Sequence, residues 1–206
     1  MMLPTHVLGG MLLAAPLVRV APELAPVGFV AGFLGGLFPD LDMYVGHRKT
    51  LHFPVYYAVA AVPAVLAALL APSAVTVAAA LFLLGAAVHS VADVYGGGLE
   101  LRPWEGNSDR AVYNHHRGAW VAPRQFVRYD GAVEDLALSV GLAIPLLLLL
   151  DGRLQQVVLG TAAVAAGYTA LRRYLADLAG RLAPYAPEAV IPFLPDRYFD
   201  DDDPER

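Results

Sequence analysis

The sequence predicts an all-α protein, a membrane-embedded bundle of about six helical segments. The composition favours this class, because 57% of the 206 residues are hydrophobic and 16% are charged, whereas soluble domains carry about 25% charged residues. The pattern of the chain agrees, since apolar runs alternate with short turns and polar stretches. There is no cysteine, which excludes disulfides, thiolate metal ligands and a cysteine nucleophile.

Proline, glycine and charged residues divide the apolar sequence into segments. Pro22 and Pro26 bracket the first turn, Pro39 ends the second segment, and Asp151-Gly152 separates the last two. The first two segments are shorter than the ~20 residues that span a bilayer, so we expect them to be partly re-entrant or to lie in locally thinned lipid. The expected segments are 6–20, 27–38, 53–71, 73–94, 133–150 and 154–178.

We expect one domain, a membrane-embedded unit over residues 1–183, because a chain of this length most often folds as a single domain. A long polar loop over residues 95–131 interrupts it. Several prolines then predict an irregular acidic tail over residues 184–206. No Lys or Arg precedes the first apolar run, so we expect that run to belong to the mature protein rather than to a signal peptide.

The basic residues predict an orientation in the membrane. With six segments, both termini, the 39–52 loop and the 95–131 loop share one side, and every Lys and Arg except Arg19 and Arg153 falls there. Basic residues favour the cytoplasmic face. We therefore expect a multi-pass protein of the inner cell membrane, with the lipid bilayer as its partner and its polar side facing the cytoplasm.

Acidic and imidazole side chains gather on that same side, at the ends of the apolar segments. Ionisable groups near a bilayer are costly and indicate a functional site, and Asp and His are common ligands of divalent metals. His89 and Asp93 are spaced i, i+4 and therefore share one face of a helix. The candidate metal ligands are His6, Asp40, Asp42, His47, His52, His89 and Asp93.

Each of these residues alone has a plainer interpretation. His89 and Asp93 also suit a helix end that faces water, Asp40 after a proline suits a turn, and His6 suits an ordinary N-terminal position. Their coincidence on one membrane side favours a metal site. Seven ligands exceed the three protein ligands plus water of a catalytic zinc, so we expect a divalent metal, zinc first, with one ion or two ions bridged by a carboxylate.

A metal ion in such a site would activate water for attack on an ester. We expect Asp42, His47 and Arg48 to be the catalytic residues, with Arg48 stabilising the negative charge of a phosphoryl group. One of the loop histidines His115 and His116 could add a ligand or cover the site, His115 being preferred, and a solvated loop histidine explains either equally well. No nucleotide-binding loop or nucleic-acid motif is present, which favours a small-molecule or lipid ester substrate and no nucleic acid.

The order of these motifs resembles the membrane-bound metal-dependent hydrolases, a family of bacterial and archaeal inner-membrane proteins that includes a LexA-regulated member. The resemblance covers about residues 1–104 and implies a membrane-bound hydrolase whose metal is held by the residues named above. One departure is Leu51-His52-Phe53, where the family has Thr-His-Ser, and it affects the expected substrate and rate more than metal binding. The matching residues are His6, 38–42, 46–48, His52, 89–93 and 101–104.

More distantly, the His/Asp pattern is similar to that of zinc-dependent phospholipase C and P1-type nucleases, which are all-helical enzymes with a zinc cluster. This likeness implies a phosphoester substrate. The first alternative is a non-enzymatic membrane protein with a structural or sensory metal site. The second is a small ion or proton transporter, which ranks last because the cores of the third, fifth and sixth segments carry no ionisable residue.

Overall fold

The computed structural model describes residues 1–191, Leu194 and Tyr198. Within these residues the regular secondary structure is helical apart from one small hairpin, which confirms the predicted all-α class. The acidic run 200–203, predicted as part of an irregular tail, lies outside the described residues. The helices are α1 (Leu3–Leu12), α2 (Leu17–Val20), α3 (Ala25–Leu37), α4 (Pro54–Leu70), α5 (Ala74–Ala92), α6 (Val133–Leu149) and α7 (Gly152–Leu182).

Three helical stretches are long and apolar enough to cross a membrane. They are Leu3–Val20, Ala74–Tyr95 and Gly152–Tyr185, and α4 is apolar but shorter. The first stretch contains both α1 and α2, because a turn before Pro16 interrupts the single segment that the sequence predicted. Proline lacks the backbone N–H that a continuous helix requires, which explains the break.

Local sequence signals fix the ends of the helices that carry the polar residues. The Ser73 side chain accepts the backbone N–H of Thr76, and the Thr76 side chain accepts that of Ser73, which caps the start of α5. At the end of α3, the chain tightens into a 3-10 turn over Phe38–Asp42, with Pro39 in its first positions. This turn directs the two predicted acidic ligands towards the end of the bundle.

The helices α1, α3 and α5 pack against one another at the centre, with α4 on α5, α6 on α1, and α7 on both α6 and α1. Glycines allow the central backbones to touch. A Cβ added at Gly10 would overlap the carbonyl oxygen of Gly32, and one at Gly36 would overlap that of His6. Small residues at membrane helix crossings permit such close approach, which brings the ends of the three helices to one place.

The apolar core lies between the central helices and α6, and includes the fully buried Leu8, Phe29 and Leu146. The outer helices show the opposite pattern. Large apolar side chains there stand uncovered, such as Leu70 at 85% exposure and Leu148 at 84%. A water-facing surface rarely carries extensive apolar area, so this outer surface suits a hydrocarbon environment.

The polar loop contains a hairpin that the sequence did not predict. Its strands β1 (Val112–Asn114) and β2 (Ala119–Val121) are antiparallel, with Gly118 at positive φ in the turn. The backbone N–H of Tyr113 donates to the carbonyl oxygen of Arg48 at 3.0 Å. The hairpin is therefore fastened to the 43–53 loop, which carries several of the predicted site residues.

Candidate metal centre

Four acidic and imidazole side chains meet at one end of the bundle. Asp40 comes from the turn after α3, His52 from the loop before α4, and His89 and Asp93 from the end of α5. One potential ligand atom from each lies within 4.8 Å of those of the others. His52, His89 and Asp93 are buried, and Asp40 is partly exposed. These four residues form a cluster that could hold a metal ion.

The distances between the imidazole and carboxylate atoms of this four-residue cluster are compatible with a shared metal ion. His89 Nε2 lies 3.3 Å from Asp40 Oδ1 and 3.4 Å from Asp93 Oδ2. His52 Nε2 lies 3.3 Å from Asp93 Oδ2 and 3.7 Å from Asp40 Oδ1. In a tetrahedral zinc site, ligand distances of about 2.0–2.1 Å place neighbouring ligand atoms about 3.3–3.4 Å apart. Three of these four His–Asp distances are therefore close to the spacing around a tetrahedral ion, the fourth is slightly longer, and all six distances among the four atoms lie within 4.8 Å.

The ring nitrogens of the two cluster histidines are already sorted into donor and ligand roles. His89 Nδ1 lies 2.6 Å from the carbonyl oxygen of Gly36, and His52 Nδ1 lies 3.0 Å from Asp42 Oδ2. Since both partners are acceptors, each Nδ1 carries a proton, and each Nε2 would turn its lone pair towards a bound cation. Both Nε2 atoms are buried, and neither has a hydrogen-bond partner among the described residues. A cation in the cluster would satisfy both.

Asp42 lies outside the cluster and contacts the Nδ1 side of the His52 ring. Its carboxylate accepts the backbone N–H of Leu51 at 3.0 Å and that of Arg48 at 3.3 Å, and it contacts His47 Nδ1 and His52 Nδ1 at 3.0 Å each. Burial alone would raise the pKa of Asp42, but the hydrogen bonds from His47 and His52 outweigh burial and hold the pKa below its usual range. Asp42 is therefore ionised and fixes the loop that carries both histidines.

The two oxygens of Asp93 face different partners. Oδ2 points to His52 and His89, whereas Oδ1 lies 3.0 Å from His6 Nε2 and 2.6 Å from the amino group of Met1. The ring of His6 also stacks on that of His89, with centroids 3.7 Å apart. In this arrangement His6 orients Asp93 and His89 rather than joining the four-atom group.

Arg48 lies beside the cluster in an unusual backbone conformation. Its φ of 59° is in the left-handed region, which costs a non-glycine residue of order 1–3 kcal/mol and is typical of functional sites. Its Nη1 donates to the carbonyl oxygen of Gly97 at 2.8 Å, and its Nε lies 3.6 Å from Asp93 Oδ2. Arg48 as a whole is 5% exposed, so a buried, fixed positive charge borders the cluster.

The loop histidines lie apart from the cluster. His115 Nε2 contacts the carbonyl oxygen of Lys49 at 2.7 Å, and its ring packs on Phe53 with centroids 4.6 Å apart. His116 is exposed in the hairpin turn. The preference for His115 as an added ligand or cover has no support from this placement, because its ring is used to dock the hairpin.

Of the seven ligands predicted from the sequence, four form the cluster and three lie in contact with it. His6 contacts Asp93, and Asp42 contacts His52. His47 packs edge-on against His52, with ring centroids 5.7 Å apart. Sequence reasoning missed the backbone contributions, such as the Gly36 carbonyl that holds His89. The repeated glycines of α3 were the available signal for that contact.

A second polar group, also missed, anchors α1. Asp135 in the first turn of α6 is fully buried and accepts the backbone N–H of Met2 at 2.7 Å, that of Gly131 at 3.0 Å, and the hydroxyl of Thr5. This contact fixes the helix turn that carries His6. An acidic residue at the start of an apolar helix was the signal that could have revealed it.

A cavity of about 550 Å³ borders the cluster at Asp40, and the neighbouring His47 and Arg48 also line it. Asp40 is therefore the cluster residue through which small molecules would reach the site. No family model, no curated protein and no solved structure matches this chain.

Proposed function

We propose that this chain is a membrane-bound, metal-dependent hydrolase that cleaves an ester, with a phosphoester of a lipid or of another membrane-proximal molecule as its substrate. The observation that carries the proposal is a group of four potential ligand atoms within 4.8 Å of one another, two of which are buried Nε2 atoms without a hydrogen-bond partner among the described residues. The order of the His and Asp motifs, which resembles the membrane-bound metal-dependent hydrolases, supports it from the sequence.

The residues present fit a divalent cation. Asp40 and Asp93 would supply two negative charges, and His52 and His89 would supply two neutral nitrogen ligands. Oxygen and nitrogen ligands at these distances suit zinc, which is the metal we propose. When bound, such an ion supplies Lewis-acid activation of water and of the ester.

Side chains at the cavity would then orient the substrate, stabilise its negative charge and transfer a proton. Arg48 borders the cavity and would hold the negative charge of the phosphoryl group. His47 also borders the cavity, and Asp42 fixes its ring through Nδ1, so His47 would move a proton during the reaction. Water adds to phosphorus and gives up one proton, the bond from phosphorus to the leaving alcohol's oxygen breaks, and that oxygen takes up one proton.

The proposed location is the inner membrane, with several crossings and the site facing the cytoplasm. The three membrane-length helical stretches support the membrane location. The orientation rests on the basic residues, nearly all of which fall on the predicted side of the site. Cysteine-accessibility labelling in intact cells tests it, since Arg117→Cys should react only with reagents that enter the cytoplasm.

Metal-dependent hydrolysis is the direct test. Protein purified in detergent should contain zinc by elemental analysis, and it should hydrolyse members of a phosphomonoester and phosphodiester panel. Chelation should abolish that activity and added zinc should restore it. Metal-loaded protein that cleaves no ester on the panel would contradict the hydrolase proposal.

Arg48→Gln tests the role of the guanidinium. We expect kcat/KM on a phosphoester to fall by about 100–1,000-fold, because a fixed charge aimed at the developing anion is lost. Metal content should stay at the wild-type level, since Arg48 is not among the four cluster residues. The exposed hairpin residue Arg117 offers the matched control, because Arg117→Gln makes the same change away from the cavity. Equal activity in both variants would remove Arg48 from the mechanism.

Asp42→Asn separates support from direct ligation. If Asp42 acts through His52, metal affinity should fall by about 10–100-fold, the usual effect of losing an outer hydrogen-bond partner of a ligand. The measurement is competition for zinc with a chromogenic chelator, and Asp109→Asn in the exposed loop is the control. A complete loss of stoichiometric zinc, with the fold retained, would instead make Asp42 a direct ligand.

One observation favours the non-enzymatic alternative as second candidate. Four protein ligands are the usual number in a structural zinc site, whereas catalytic zinc usually keeps one position for water. The partial exposure of Asp40 towards the cavity favours a catalytic site instead, because small molecules could reach the cluster there. Zinc that is retained through prolonged chelation, together with no hydrolysis, would favour a structural or sensory role.

A further inference from the structure

The cavity beside the cluster extends well beyond the polar residues. Its volume of about 550 Å³ falls within the roughly 300–1,000 Å³ of small-molecule pockets. Charged and imidazole groups of Asp40, His47, Arg48 and Asp130 lie in its wall, and most of the remaining wall is apolar. The cavity therefore has a chemically divided lining.

The lining residues of α1 and α3 show how the polarity of the cavity changes with distance from the cluster. Leu3 and Leu37 occupy the turns of α1 and α3 that adjoin the cluster. Val7 and Phe33 line the cavity one turn further from the cluster on the same two helices. The lining is therefore increasingly apolar with distance from the cluster.

Helix α7 forms the opposite wall between Val157 and Tyr168. Tyr168, whose hydroxyl donates to Asp130, lies at the polar end, and Val157 lies eleven residues earlier, about 16 Å away along the helix axis. Between them, Thr161 donates its hydroxyl to the carbonyl oxygen of Val157 at 2.8 Å. The hydroxyl is satisfied within the helix, which leaves this wall suited to an apolar ligand.

The apolar part of the cavity is open on one side. Val157 is 40% exposed and Val164 is 61% exposed, and both belong to Gly152–Tyr185, which is long and apolar enough to cross a membrane. In a bilayer, uncovered side chains on such a helix face lipid chains. A ligand could therefore enter sideways from the bilayer without passing through water.

We propose, on the basis of the hydrolase function proposed above, that the substrate is a single-chain amphiphile. Its one alkyl or acyl chain lies along α7 between Leu37 and Val157, and its phosphoester head lies at the cluster beside Arg48. Among the described lining residues Arg48 is the one Lys or Arg, which suits an anionic head. At about 30 Å³ for each water-sized group, the cavity of about 550 Å³ holds about 18 non-hydrogen atoms, which is enough for one chain with its head, so that a second long chain would have to lie outside it.

Gly160 provides the test, because it lines the cavity and no described atom lies within 4 Å of an added Cβ there. Gly160→Phe should obstruct the chain path without displacing backbone. The matched control is Gly141→Phe in α6, which also has no described atom within 4 Å of its added Cβ and lies outside the cavity lining. Gly160→Leu is a smaller second variant, and thermal unfolding in detergent checks that each variant is folded.

The probes are alkyl para-nitrophenyl phosphates of graded chain length, presented in mixed micelles. Wild-type KM should fall as the chain lengthens. Gly160→Phe should raise KM for the long-chain probe by about tenfold or more, as expected when apolar contacts in a pocket are lost, with little change for the methyl ester. Gly141→Phe should behave as wild type.

The outcomes separate the two proposals. Hydrolysis of the methyl ester with no chain-length preference, or equal effects of the two phenylalanine variants, would overturn the single-chain proposal and leave the hydrolase function standing. If no probe is hydrolysed, the hydrolase function fails. Binding of non-hydrolysable alkylphosphonates to zinc-loaded protein then tests whether the cavity binds a single alkyl chain. Chain-length-dependent binding that Gly160→Phe weakens would support the chain site, and its absence would overturn it.

Discussion

Asp40→Asn should yield a folded protein that has lost its metal. The substitution keeps the shape of the side chain but removes one of the two negative charges that face His52 and His89. We expect zinc affinity to fall by more than the roughly 10–100-fold that follows loss of an outer partner of a ligand, and metal-dependent hydrolysis to disappear with it. Zinc stoichiometry by elemental analysis and affinity by chelator competition measure the effect.

The position of Asp40 makes this variant more informative than one at Asp93. Asp93 also contacts His6 and lies near the buried Arg48, and removal of one partner of a buried charge pair commonly costs about 3–5 kcal/mol. Asp40 has a side chain that is 12% exposed, so its amide should be tolerated. Asp109→Asn serves as the charge-matched control. Wild-type zinc content in Asp40→Asn would refute the four-residue site.

Gly32→Ala should destabilise the bundle and weaken metal binding together. The added methyl group would overlap the carbonyl oxygen of Gly10, so α1 and α3 would have to separate. Overpacking of this kind costs about 1–3 kcal/mol, which corresponds to a fall in melting temperature of roughly 2–12 °C for a chain of this size. Because α1 carries His6 and α3 leads to Asp40, zinc affinity should fall as well.

Gly141→Ala is the matched control for this prediction. It also replaces a helical glycine by alanine, but no described atom lies within 4 Å of the added methyl group. The change should leave stability the same or raise it by about 0.5–1 kcal/mol, since alanine favours the helix. Thermal unfolding in one detergent measures both variants. A melting temperature for Gly32→Ala equal to that of Gly141→Ala would show that the helix crossing is not tight.

The helical segments and the gathering of acidic and imidazole side chains at one end of the bundle could be predicted because polar residues stand out in an apolar sequence. Their spacing relative to proline and to the ends of apolar runs placed Asp40, His52, His89 and Asp93 on one side, and the structure brings them together. The interruption before Pro16 was missed because the apolar composition continues through it.

The division of roles within the site could not be predicted. Whether His47 or His52 enters the cluster depends on the path of the loop between them, where Gly46 and Arg48 both adopt positive φ. Local sequence does not determine such a path, because contacts with the distant hairpin help to hold it. Backbone acceptors such as the Gly36 carbonyl are equally invisible, since every residue carries one.

The anchoring of α1 by Asp135 has a consequence for how this protein can be divided. All four cluster residues lie before residue 95, yet the turn that presents His6 is tied to a helix near residue 135. A shortened chain carrying every candidate ligand would lack the tie that sets α1 in register. The metal-binding half is thus not a portable module, and grafting it onto another scaffold would require the acidic anchor from the second half as well.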